Sequence, residues 1–133
     1  MSAHIAVIAG SYHREEVEVM LVHAEDEAHA LGCSLASPTW VPGSLEMPLA
    51  TQRAFEDPDC IGAICLGVIE RGETLHGEVM GHAVLNALID LQLGHDRPIG
   101  VGIIGPGADP SHLPSRLEPH ARHAVQAVVS LRR

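Results

Sequence analysis

Two hydrophobic rhythms take turns along this chain: short unbroken apolar runs, and longer stretches in which apolar residues return every third or fourth position. Ile5 to Ala9 is a run of the first kind, broken by Gly10, and reads as a strand buried on both faces. From Arg14 to Leu31 the period becomes helical, with Val17, Met20, Leu21, Ala24, Ala28 and Leu31 on the inner face and Gly32 as the stop. Cys33 to Val41 predicts a second strand, weakened by Pro38. Pro42-Gly43-Ser44 is a turn, and a helix from about Leu45 to Phe55 carries Pro48 harmlessly in its first turn.

After the Asp57-Pro58-Asp59 break, Ile61 to Gly67 is a small-apolar run of strand length. A helix follows, with Met80, Ala83, Val84, Ala87, Leu88 and Leu91 on one face. Gly94 to Pro98 is a loop, Ile99 to Ile104 a fourth buried strand, and Gly105 to Pro110 a stiff turn. Pro114 to Leu131 is the last helix, with Ala121, Ala124, Val125, Val128 and Leu131 inward. Four strand–helix units joined by right-handed crossovers make a parallel sheet covered on both faces. No internal repeat or low-complexity segment interrupts the pattern.

The 133 residues fit one domain spanning the chain. Residues 1–10 lack the basic, apolar and small-residue order of a signal peptide. No apolar run reaches the roughly 18 residues of a membrane span, so a soluble cytoplasmic protein is expected. Net charge is −9, from eight Arg, no Lys and seventeen acidic residues, without a basic stripe interleaved with aromatics. That argues against nucleic acid and anionic membranes as partners. Cys33, Cys60 and Cys65 have no paired metal spacing and read as reduced, mostly buried thiols.

In such sheets ligands bind in the loops at the carboxyl ends of the strands. Those loops hold Tyr12 and His13, then Pro42 to Glu46, then Val68 to His76, then Gly105 to Arg116. Tyr12 is one of three aromatic residues and could stack on a planar heterocycle or pack on its own helix. Glu46 could serve a ligand or complement a helix dipole. Arg116, in the first turn of the last helix, is poorly placed for its own dipole unless an anion sits between. A solvated surface Arg is the commoner explanation for such a position. His76 is one of ten histidines, but it opens a helix beside Gly72 and Thr74. The positive end of that helix disfavours imidazolium and keeps a neutral base available. Free N–H groups, a hydroxyl and an imidazole in one turn point to anion binding and proton transfer on a small molecule.

The segments Val41-Pro42-Gly43-Ser44-Leu45-Glu46-Met47-Pro48 and Leu66-Gly67-Val68-Ile69-Glu70-Arg71-Gly72-Glu73-Thr74-Leu75-His76 closely resemble the two signatures of the 6,7-dimethyl-8-ribityllumazine synthase family of riboflavin biosynthesis. The likeness extends from Ile5 to about Arg116. It implies a flavodoxin-like three-layer α/β/α sandwich with a four-stranded parallel sheet, and active sites between neighbouring subunits. The implied reaction condenses 5-amino-6-(D-ribitylamino)uracil with 3,4-dihydroxy-2-butanone 4-phosphate, losing phosphate and water, without metal or organic cofactor. By the resemblance Tyr12 takes the place of a Phe that stacks on the pyrimidine. Ser44, Leu45 and Glu46 match the turn that binds the ribityl chain and ring, and Val68, Ile69 and Glu70 the strand end that holds the uracil edge. Glu73 and Thr74 match the phosphate-binding pair, His76 the catalytic histidine, and Val101 a pocket position supplied by the adjacent subunit. Arg116 matches the phosphate-binding arginine if one residue is inserted before it.

Three departures stand out. Glu70 replaces an aliphatic residue, prolines crowd the turn before Arg116, and Ala121-Arg122-His123 replaces an Asn-Lys-Gly segment whose Lys approaches the phosphate, leaving Arg122 as a possible substitute. A catalytically weakened paralogue that binds flavin precursors is one alternative. A signalling or nucleotide-binding module of doubly wound topology is the other, although Ala9-Gly10-Ser11 supplies no acidic cluster after the first strand. The family likeness implies a homopentamer or a larger assembly. Only Met1 to His4 precede the first strand, too few for the added N-terminal strand of other members, and each subunit carries −9. A free pentamer or a pair of pentamers is therefore expected.

Overall fold

The computed structural model describes residues 2–133. β1 (His4–Gly10), α1 (Arg14–Ala30), β2 (Thr39–Val41), α2 (Met47–Ala54), β3 (Cys60–Glu70), α3 (His76–His95), β4 (Ile99–Ala108) and α4 (Leu113–Leu131) follow one another. Single 3₁₀ turns at Ser44–Glu46 and Pro110–His112 lead into α2 and α4. The sheet is parallel throughout, in the order β2-β1-β3-β4. This is the three-layer, flavodoxin-like arrangement expected from the alternating pattern.

Alternation within the strands divides the core. Ile5, Val7, Ala9, Ile64, Leu66, Val68 and Ile104 pack with the buried faces of α1 and α4. Ala6, Ile8, Ala63, Cys65, Ile69 and Ile103 pack with Met47, Val84 and Leu88 of α2 and α3. The two inner strands therefore have no polar face, which is why they read as continuous apolar runs.

Several boundaries differ from the sequence reading. β2 keeps only three residues, because Pro38 cannot donate to a ladder. Upstream of it a single bridge joins Leu35 to Ile5. β3 continues through Val68, Ile69 and Glu70, and β4 continues to Ala108, where Glu70 pairs with Ala108 and the Arg71 N–H donates to the Ala108 carbonyl at 2.8 Å. The stiff segment after Ile104 is thus strand, with a cis Gly105–Pro106 bond. Leu31 and Leu131, expected inside, lie at helix ends and are exposed, as is Ala83. Gly32 does end α1, at φ +73°. On α3 the buried stripe is only Gly81, Val84 and Leu88, whereas Leu75 just before it and Val79, Ile89 and Leu93 on it stay exposed.

Candidate functional site

A cleft of about 490 Å³ opens at the carboxyl ends of β1, β2 and β3. It is walled by Tyr12, Pro42 to Glu46, Val68 to Gly72, Thr74, His76, Gly77 and Met80. Its floor depends on Met47, fully buried in the first turn of α2. A Cβ on Gly10 would stand 3.2 Å from the Met47 methyl, and one on Gly67 only 2.9 Å from it. Glycine at the ends of β1 and β3 therefore lets α2 seat against the sheet, and this places the Ser44–Glu46 turn beside the end of β3.

The local bonds give each wall a reason for its shape. Glu46 Oε1 accepts the Gly43 N–H at 2.8 Å, closing the turn that buries Ser44 and leaves Leu45 exposed. That oxygen of the Glu46 carboxylate is committed to the fold of the turn. Thr74 Oγ1 accepts the His76 N–H at 3.3 Å and starts α3, whose first turn keeps further N–H groups without helical acceptors. The His76 side chain is exposed at the rim. Tyr12 reaches across the mouth, where its hydroxyl donates to Glu70 Oε2 at 2.8 Å. That bond, with the charge of the carboxylate, raises the Tyr12 phenol above its ordinary value of 10.0.

Not every residue singled out from the sequence lies here. Glu73 faces an adjoining depression of about 310 Å³, shared with Glu70 to Thr74, Glu78 and Gly107. Val101 sits mid-way along β4, paired with Cys65 and packed on the face covered by α2 and α3. Arg116 is exposed on the first turn of α4, outside the cleft lining. Arg122 is engaged elsewhere: its guanidinium donates to Glu118 at 2.8 Å and to Glu27 at 3.1 Å, clamping α4 to α1. Two residues of these loops were given no role by the sequence reading. Arg71 lines the cleft and stands beside Gly72 in the motif, where a loop cation could have been noticed. His13 lies 3.6 Å from Glu70 Oε2, a juxtaposition that nothing in the sequence announced. Cys60 and Cys65 are buried away from the cleft lining, and burial pushes the Cys65 thiol up to about 12.

Residues 2–133 match the family model described as 6,7-dimethyl-8-ribityllumazine synthase. The chain belongs to that family. Among curated relatives it is similar to the 6,7-dimethyl-8-ribityllumazine synthase of Staphylothermus marinus, with 33% identity over 97% of this chain and 86% of the relative. The enzyme of Metallosphaera sedula is 31% identical over 99% and 87%. That of Methanocaldococcus jannaschii is 29% identical over 98% and 92%. The family match runs through both segments that line the cleft at this end of the sheet. No helix among the described residues is long and apolar enough to cross a membrane.

Proposed function

We propose that this chain catalyses the lumazine synthase condensation in the cleft at the ends of β1, β2 and β3. The observation that carries the reading is the convergence of Tyr12, Ser44 to Glu46, Val68 to Glu70, Thr74 and His76 around one cavity in a chain of this family. In this reading Tyr12 stacks on the pyrimidine, the Ser44–Glu46 turn holds the ribityl chain, and the end of β3 meets the uracil edge. Thr74 and the first turn of α3 face the phosphate, an anion suited to free N–H groups and a hydroxyl, with Glu73 beside them in the adjoining depression. The 5-amino nitrogen of 5-amino-6-(D-ribitylamino)uracil adds to the ketone of 3,4-dihydroxy-2-butanone 4-phosphate, and water leaves as the imine forms. Phosphate then departs by elimination. The ribitylamino nitrogen closes the ring on the carbonyl so generated, releasing a second water. His76 moves the protons these steps require, and charge stabilisation of the leaving phosphate assists the elimination.

Val101 and Arg116 enter the site from a second copy, Arg116 as the phosphate's guanidinium. The uncovered apolar residues on the α2/α3 side support assembly: Leu75 is 71% exposed, Val79 65% and Leu93 78%. A ring of five copies, or a pair of rings, covers them. The charge of −9 per subunit opposes closure into larger shells. A cytoplasmic setting belongs to the same reading, supported by three unpaired thiols. The test is to follow phosphate release and lumazine formation together on the two substrates. Equal amounts of both, saturating in each substrate, are expected; phosphate release without lumazine would defeat the reading.

A further inference from the structure

Glu70 is the cleft residue with the least ordinary surroundings. It is the last residue of β3, its side chain is 29% exposed, and its Oε2 takes the Tyr12 hydroxyl from 58 residues away in sequence at 2.8 Å. The same oxygen lies 3.6 Å from His13 Nε2, a buried nitrogen with no hydrogen-bond partner among the described residues. His13 in turn packs edge-on against the Tyr12 ring, with centroids 4.6 Å apart. Its backbone is left-handed, at φ 59° and ψ 48°, a region few residues with a Cβ adopt. Two neighbouring residues of the β1–α1 loop are thus drawn onto one carboxylate at the end of another strand.

We propose that Glu70 is a positioning residue that, with His13, fixes the Tyr12 ring across the mouth of the cleft, so that a pyrimidine meets a preset stacking face. Tyr12 is 53% exposed and without this anchor would sample several rotamers. A ring already held gives up less freedom when a ligand stacks on it, and preorganisation of this kind raises affinity without adding a contact. The inference rests on the assignment of the cleft to a ribitylaminouracil and concerns only how the heterocycle is held.

Binding is read by calorimetry with 6-(D-ribitylamino)uracil, which lacks the 5-amino nucleophile and cannot be consumed. Glu70→Ile is expected to weaken it roughly tenfold, and Tyr12→Phe, which keeps the ring and loses the bond, about threefold. In the Glu70→Ile background Tyr12→Phe should add nothing, because the bond it removes is already gone. Glu70→Gln, which keeps an acceptor, should fall between wild type and Glu70→Ile. Unchanged binding in Glu70→Ile, or effects of the two substitutions that multiply, would overturn the proposal.

The anchor is read separately from the ligand. Tyr12 is the single tyrosine, so phenolate absorbance in an alkaline titration reports its ionisation alone. Glu70→Ile should move that midpoint down, since the carboxylate holds it up, whereas His13→Gln tests the imidazole that packs edge-on against the ring. An unmoved midpoint in Glu70→Ile would sink the anchor. Wild-type protein that shows the anchor in this titration yet does not bind the uracil would instead count against the functional assignment of the cleft.

Discussion

The seat of Met47 links the stability of the fold to the shape of the cleft. Its side chain is fully buried, and its methyl fills the space a Cβ on Gly10 or Gly67 would need, glycines that have no side chains with which to collapse into a vacancy. Met47→Ala should therefore fall in the upper half of the roughly 2–5 kcal/mol range for such truncations, because little of the cavity can close. Gly67→Ala should also destabilise, by about 1–3 kcal/mol, since its new methyl would stand 2.9 Å from the Met47 methyl. Made together, the two changes should partly cancel, the alanine methyl occupying space the methionine vacated. A coupling of about 0.5–3 kcal/mol, in the compensating direction, is the expected result. Urea unfolding at fixed protein concentration measures it, with all variants compared at constant m. Strict additivity, or a Met47→Ala variant as stable as wild type, would refute the seating argument.

Further outcomes follow from the same structure. His76→Ala should slow turnover by about 10- to 10⁴-fold, the span for one positioned proton-transfer group on a reaction that also runs unaided, and unchanged turnover would remove His76 from the mechanism. Arg116→Ala should raise KM for the butanone phosphate by roughly 10- to 100-fold, with little effect on the pyrimidine. Mixed with His76→Ala under conditions that exchange subunits, it should regain activity, and a mixture as inactive as its parts would place Arg116 outside a shared site. The α1–α4 clamp should make stability fall in acid. Gln126 and Arg122 hold the Glu27 carboxyl below its ordinary value of 4.5, and Arg122 does the same for Glu118. Lowered folded-state values mean that this contribution is fully present above about 4.5 and is lost as pH falls through the depressed values. Arg122→Met should therefore lose stability at neutral pH and show a shallower acid dependence by urea midpoint; an identical pH profile would contradict the clamp.

The architecture was legible because every inner strand of a parallel sheet is buried on both sides, leaving apolar runs without alternation between helical periods. What the pattern could not mark is where a strand stops. Val68, Ile69 and Glu70 lie among loop-like residues, and only the partner edge at Ala108 makes them strand. Exposed Leu31 and Leu131 were misplaced because helical periodicity persists into the last turn, beyond the reach of the opposing layer. The cleft residues could be named from two motifs, since the motifs fall on consecutive strand ends. Glu70 meeting Tyr12 could not be foreseen, because it depends on a side chain of the β1–α1 loop and one at the end of β3 turning toward one another. Val101 and Arg116 lie outside the cleft of their own chain; only the proposed assembly would bring them to a site.

The central claim is most directly tested by the rate at which the purified protein forms 6,7-dimethyl-8-ribityllumazine from the two substrates, read by the product's absorbance and fluorescence. A rate well above the spontaneous condensation, saturating in both substrates and greatly reduced in His76→Ala, is expected. A rate equal to the spontaneous one, from folded and assembled protein, would contradict the assignment and leave a cleft that binds flavin precursors without converting them.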